Sequence, residues 1–374
     1  MNKNSIRHLM VLGSFLLLIL FVVSAVSAYS WTVTSAVSKM ESSQQANPFG
    51  PHDRSSIWSG RITKETKQAS TATSDSRNVD VIGNIGGATT AVAVQGKYAY
   101  LGDGLALSIL DISDPAAPIL VGKSSPLSGF IHDLKVVDSY VYTISGRGGL
   151  HIIDVSDPTT PVVIGSLEPL GGVSLAIAGD YAYVASSGLQ VIDISDPSAP
   201  KATAYLGNSN AKSVSVSGNY AYLAAGDAGA LYVIDISDPS EPSEVACLDT
   251  PGNISDISLS DSYVYAAAGT GGLRIIDGST PSSPEEVGSF GGSWQKIAMV
   301  GDHAYVGGES GGLYVIDVSN KSLPFEAGHY NEINTITELT VSGNLVFALD
   351  DWEKGAMHIV DITVPGLPVK SGLY

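Results

Sequence analysis

A ten-residue pattern, V-I-D-I-S-D-P-x-x-P, returns seven times along this chain. Four copies are nearly complete, around Asp111-Ile112-Ser113-Asp114-Pro115, Asp154-Val155-Ser156-Asp157-Pro158, Asp193-Ile194-Ser195-Asp196-Pro197 and Asp235-Ile236-Ser237-Asp238-Pro239. Degenerate copies centre on Asp277, Asp317 and Asp361. The steps between successive Asp residues are 43, 39, 42, 42, 40 and 44. A wedge of about forty residues made of short strands cannot bury its own flat sides and is stable only against its neighbours. Seven such wedges predict an all-β, seven-bladed β-propeller of four-stranded antiparallel blades.

The fourth repeat reads most plainly as a blade. Residues 212–217 alternate and form the axial strand; Gly218-Asn219 turns, since φ > 0 is easily adopted there. Residues 220–224 form the second strand and 231–236 the third. Pro239 stops the third strand, because Pro fixes φ and cannot donate to a ladder. An Asp beside such a corner can accept the N–H two residues on. Residues 243–247 then form the rim strand. Repeats five to seven depart from the Ser-Asp-Pro corner (Thr280-Pro281, Asn320-Lys321, Val364-Pro365), which weakens the turn argument there. A Tyr-x-Tyr pair opens each second strand, from Tyr98/Tyr100 to Tyr263/Tyr265, with His303/Tyr305 and Leu345/Phe347 as variants. Rings in that slot are expected to pack on the next blade.

Both chain ends offer a rim strand, residues 79–85 and 368–374, one more than seven blades need. The N-terminal strand is expected to clasp the last blade, with the C-terminal one beside it or frayed. Ahead of the repeats, Lys3, Arg7 and His8 precede an apolar run over residues 9–23 and small residues to Ala28. This reads as a signal peptide over 1–28, cleaved after Ala28. An uncleaved anchor is the alternative, since residues 9–28 are just long enough to span a bilayer. Residues 29–77, rich in Ser, Thr, Gln and Ala, read as a flexible linker. The propeller is assigned to 78–374. Either N-terminal reading exports it to the cell envelope, cell surface or medium.

The formal charge of −18 is uneven. Residues 1–77 carry eight Lys/Arg against four Asp/Glu; from residue 78 on there are eleven against thirty-three. Nucleic acid needs clustered cations to neutralise phosphates and is excluded as a partner. Eleven of the carboxylates are motif positions, so much of the acidity is structural and solubilising. The single cysteine, Cys247, rules out an intramolecular disulfide and a Cys-based metal site; it is expected to be a buried, inert thiol.

The strings Gly179-Asp180-Tyr181-Ala182-Tyr183-Val184 and Gly188-Leu189-Gln190-Val191-Ile192-Asp193, repeated in variants from residue 79 to the C terminus, resemble the LVIVD-repeat family of exported propellers. The resemblance implies a secreted or cell-surface location and supplies no shared catalytic motif.

Function on a propeller usually lies at the face carrying the rim-to-axis loops and the loops between second and third strands. Seven positions before the Tyr of each second strand stand Ala91, Asp133, Ser174, Ser213, Asp256, Lys296 and Glu338; six before, every residue is aliphatic. Five before stand Ala93, Lys135, Ala176, Ser215, Ser258, Ala298 and Thr340, so Lys135 breaks a small, uncharged column. Breaks of local consistency are where function concentrates. The candidate mouth is therefore Asp133, Asp256 and Glu338 with Lys135 and Lys296, flanked by His132, Arg147 and Trp294 and overhung by Asp351 and Trp352. The plainer reading is a wet channel lined by satisfied polar groups.

Three functions follow: a non-catalytic module binding a surface protein or glycan; a lyase or glycosidase using Asp133, Asp256 and Glu338; or a purely structural envelope component. Glycoside chemistry needs a carboxylate pair about 5–10 Å apart and free to act. Carboxylates that face apart or are absorbed in blade contacts would end that reading. No cofactor is implied. Ca²⁺ is conceivable at three carboxylates, but no D-x-D-x-D-G loop is present. The histidines are scattered, with no H-x-x-x-H pair, and no G-x-S-x-G elbow is expected in the chain.

Overall fold

The computed structural model describes residues 89–207, 210–225, 229–309, 311–350 and 355–374. Among them, twenty-eight strands form seven four-stranded antiparallel sheets, and in each sheet the spatial order follows the chain. The blades cover 89–123, 133–167, 174–207, 211–249, 256–290, 296–330 and 338–373. Their axial strands are Thr89–Gln95, Asp133–Val137, Ser174–Ala178, Ala211–Ser217, Asp256–Ser260, Lys296–Val300 and Glu338–Ser342. Each packs on the next, and the last packs on the first, so the ring closes. No described residue is helical, and no helix among them is long and apolar enough to cross a membrane.

Turn chemistry sets the strand ends. In the fourth blade the strands are Ala211–Ser217, Tyr220–Ala225, Ala230–Asp235 and Ser243–Asp249. Gly218 turns between the first two at φ 56°, the left-handed region a Cβ disfavours. The Asp ending each third strand accepts the N–H two residues on in all seven blades, at 2.7–2.9 Å, from Asp111–Ser113 to Asp361–Thr363. The following corner closes with an i+3 N–H to i C=O bond in every blade. Ser283 to Thr280, Leu323 to Asn320 and Leu367 to Val364 do so without Asp. Asn320 replaces the missing carboxylate, accepting the Ser322 N–H. The departing repeats thus keep the turn.

The core lies between blades. The aliphatic column of the axial strands is buried: Leu134, Leu175, Val214, Ile257, Ile297 and Leu339 are at most 5 % exposed. The second ring of each Tyr-x-Tyr pair reaches the next blade. Tyr100 packs with Leu134 and Val141, Tyr183 with Val214 and Ala221, and Phe347 with Ala99 and Leu101 of the first blade. A fully buried large apolar side chain contributes about 1.5–3 kcal/mol, so a single blade without neighbours would lose most of its stabilisation.

Two expectations are corrected. The C-terminal strand is neither frayed nor accessory: Val369–Leu373 pairs with Met357–Asp361 as the rim strand of the last blade. Tyr374 and Met357 exchange backbone bonds of 2.9 and 2.7 Å beyond it. The N-terminal candidate, 79–85, and the segments 1–28 and 29–77 lie outside the described residues. Cys247 is exposed, not buried, because a rim strand has a neighbouring strand on one edge only. Partial burial still pushes its thiol pKa up, against a hydrogen bond with Tyr232, which leaves it a weak nucleophile at neutral pH.

Candidate functional site

A cavity of about 230 Å³ opens on the axis at the ends of the axial strands. Its walls include His132, Asp133, Lys135, Asp256, Lys296 and Glu338, so the structure brings together six of the ten sequence-derived candidates. Strand alternation explains the gathering. With the aliphatic column turned into the blades, the residues on either side of it face the axis.

Two of the carboxylates are built into blade joints. Asp133 Oδ1 accepts its own neighbour's N–H, from Leu134 at 2.7 Å, and the Lys135 ammonium at 2.8 Å. Its Oδ2 accepts the Leu175 N–H at 2.8 Å and the Ser174 hydroxyl at 3.0 Å, both from the next blade. Asp256 repeats the design between three blades. Its Oδ1 accepts the Ile257 N–H and the Ser213 hydroxyl, each at 2.9 Å, and its Oδ2 accepts the Ile297 N–H at 3.2 Å. Glu338 pairs with Lys296 across a blade joint at 2.6 Å and accepts the Leu339 N–H at 3.1 Å.

The charges depend on one another. Burial alone would lower the Lys296 pKa, but Glu338, Asp256 and Asp133 outweigh it and hold the ammonium above the ordinary lysine range. Lys135 is likewise raised despite burial, by Asp133, then Glu338 and Asp256. Burial pushes the Glu338 carboxyl up; Lys296 opposes the shift, and Asp256 and Asp133 add to it. Lys135, though ringed by strands, keeps 44 % of its side chain exposed to the channel, so solvent screens its pair with Asp133.

The remaining candidates fare differently. Trp294 does not flank the mouth. It is 5 % exposed between the fifth and sixth blades, with its ring 4.8 Å from that of Tyr314 and against Gly292. An indole in this position is worth more as core than as rim. Arg147 is exposed on the loop after the second strand of its blade and lines no part of the cavity. Asp351 and Trp352 lie outside the described residues. For Ca²⁺, the Asp133 and Asp256 oxygens are already engaged by protein donors. Among the described residues no group of three His, Cys, Asp or Glu is placed to hold a metal ion.

Sequence reasoning missed Lys212, which stands one residue before the axial column and lines the cavity from its exposed edge. It also missed a cluster at the second blade, formed by the loop that enters it (Ser128), its third strand (His151) and the loop that leaves it (Glu168). Ser128 Oγ lies 2.9 Å from His151 Nε2 and donates to Glu168, whose carboxylate is 3.3 Å from the same ring nitrogen. Hydroxyl and acid share one nitrogen, whereas a Ser-His-acid relay needs the acid on the other. Nδ1 has no partner among the described residues. A G-x-S-x-G string does occur at residues 308–312, but it joins two strands of the sixth blade, not a strand to a helix.

A family model described as LVIVD repeat matches residues 86–125, 128–168, 172–204, 208–250, 251–290 and 291–332. Among solved structures, the computationally designed protein Ika8 is similar over 76 % of this chain and 87 % of its own, with 17 % identity and a TM-score of 0.59. BamB from Moraxella catarrhalis is similar over 72 % of this chain and 83 % of its own, with 14 % identity and a TM-score of 0.53. At such identities the likeness is one of fold alone. No curated protein matches the chain.

Proposed function

The chain belongs to the LVIVD-repeat family, and we propose that it acts as an exported, non-catalytic interaction module. In this reading it binds a surface protein or glycan through the face around the axial cavity. The observation that carries the reading is the cavity itself. It is where a column otherwise small and uncharged is interrupted by Lys135, and where Lys296 and Glu338 pair across a blade joint. The charged residues at these axial positions depart from the small ones that other repeats carry there. The basic, apolar and small-residue order of residues 1–28 supports export.

The absorption of Asp133 and Asp256 into blade joints argues against the glycosidase reading. A general acid or base must be free to exchange a proton with substrate, and these carboxylates hold backbone amides of neighbouring blades. The test compares the full-length chain with its Lys135→Met/Lys296→Met variant on a glycan array and in pull-downs from envelope extract. A ligand retained by the native chain and lost by the variant supports the reading. Equal retention by both, or hydrolysis of an arrayed glycan, overturns it.

A further inference from the structure

The cavity's hydrogen-bonding capacity is lopsided. Asp133 spends both oxygens on four protein donors, Asp256 both on three, and Glu338 both on two. The ammonium groups do not: among the described residues Lys135 donates only to Asp133 and Lys296 only to Glu338, leaving two N–H donors on each. Lys212 has no partner among the described residues. The cations are also concentrated here. Three of the eleven Lys/Arg after residue 77 line the cavity, against three of thirty-three Asp/Glu, so a domain of strongly negative charge has a formally neutral pocket. What is unspent in it is positive and donating.

Size and surface narrow the ligand. A volume of about 230 Å³ is below the ~300–1,000 Å³ of pockets for drug-sized ligands. The exposed wall is mostly polar, with the Ser215, Ser258 and Thr340 side chains on it and no Phe, Tyr or Trp ring. An apolar group gains little in such a pocket; a small ligand rich in acceptors and hydroxyls gains most.

We propose that the axial cavity binds a small hydroxylated carboxylate, no larger than about one sugar ring, with its carboxylate held by the spare donors of Lys296 and Lys135 and approached past Lys212. Uronic acids have this chemistry, free or as the end unit of an acidic polysaccharide. The inference rests on the interaction-module reading and specifies its ligand. Asp133 and Asp256 keep the two lysines charged and are positioning residues that make no bond to the ligand, whereas Glu338 competes with the ligand carboxylate for Lys296.

The experiment is calorimetric titration of the full-length chain with D-galacturonate, a galacturonate oligomer and D-galactose. The acids are expected to bind and galactose to fail. Lys296→Met should weaken acid binding about tenfold or more, as loss of a charge-assisted hydrogen bond does. Lys212→Ala, at an exposed residue with no fold role, should weaken it severalfold. Glu338→Gln removes a competing negative charge and frees Lys296, so it should strengthen binding, which a merely structural role would not produce. Tighter binding of the oligomer identifies a polymer end as the natural source, and equal binding the free acid; both uphold the proposal. Equal binding of acid and galactose, no binding of either acid, or indifference to Lys212→Ala and Glu338→Gln overturns it. Array or pull-down ligands that survive loss of both lysines sink the module reading instead.

Discussion

Gly372 in the last rim strand lies against the carbonyl of Pro115 in the first blade's outer corner, so closely that a Cβ on Gly372 would sit 1.7 Å from that oxygen. The same joint recurs around the ring: Gly122 on Pro158 at 2.0 Å, Gly165 on Pro197 at 2.1 Å and Gly288 on Lys321 at 1.8 Å. The last blade is thus locked to the first as the first, second and fifth are to the blades that follow them, whereas the third and fourth carry Ala204 and Ala246 at the equivalent rim position. Gly372→Ala should destabilise the domain by about 1–3 kcal/mol, the range for overpacking a tight contact. Gly171→Ala, where an added Cβ meets nothing within 4 Å, should be near neutral. Urea unfolding of the two variants checks this, and equal midpoints would contradict the joint.

The Asp that ends each third strand governs acid stability. Hydrogen bonds from Ser113, side chain and backbone, then from Lys97, lower the Asp111 pKa to about 2. Asp154, Asp193, Asp235, Asp277, Asp317 and Asp361 are lowered for the same local reason. An unfolded Asp titrates near ~3.9, so this stabilisation is fully present above about pH 4 and is lost as pH falls through the depressed folded values. Urea midpoints followed from pH 6 to 2 in high salt, which screens general repulsion, should hold to about pH 4 and then drop. Asp193→Asn should shallow that drop; an unchanged profile counts against the argument.

Two buried histidines act in a higher window. Burial lowers the His151 pKa against the pull of Glu168, and the His358 pKa against Asp350. Unfolded His takes up its proton near ~6.5, while these rings resist it in the folded state. Their contribution is therefore complete above about pH 6.5 and declines as pH falls through their lowered values. The double variant His151→Gln/His358→Gln should lose the pH dependence of the thermal midpoint between pH 7 and 5. If it retains the native slope, other groups are responsible.

The Lys296–Glu338 pair couples the sixth and seventh blades. Lys296→Met leaves a largely buried carboxyl without its cation. Because both side chains keep some solvent contact (26 % and 17 %), the cost is set at about 1–3 kcal/mol, below that of breaking a fully buried pair. Adding Glu338→Gln should recover part of it. A double-mutant cycle by denaturant unfolding reads the coupling, expected to exceed ~0.5 kcal/mol; additive effects would mean the two do not act as a pair.

Much of the architecture was legible because its causes are local. The Asp corners, the Gly218 turn and the aliphatic alternation of the axial strands each depend on a few adjacent residues. Copying them seven times makes the ring. The axial column was legible too, since equal spacing before the Tyr places equivalent residues at equivalent depth. Local spacing failed where the neighbour comes from another blade. Trp294 shared the loop position of mouth residues, yet Tyr314 and Gly292 form a slot that buries it. Lys212 stands on the aliphatic-facing side of the alternation, but the ladder shifts register between Ala211 and Ser213, and the residue lines the cavity instead. The C-terminal strand was taken as spare because two segments suited one rim position; pairing with Met357–Asp361 assigned that position to it.

From the chain alone came the repeat, the strand order within a blade, the number of blades and the identity of the axial residues, all consequences of short-range backbone and turn energetics. Only the tertiary structure decided that Lys296 meets Glu338, that Asp133 and Asp256 hold neighbouring blades rather than act as free acids, and that Lys135 retains unused donors. Those are contacts between separate wedges, and their geometry does not exist until the ring closes and the axial strands face one another across water.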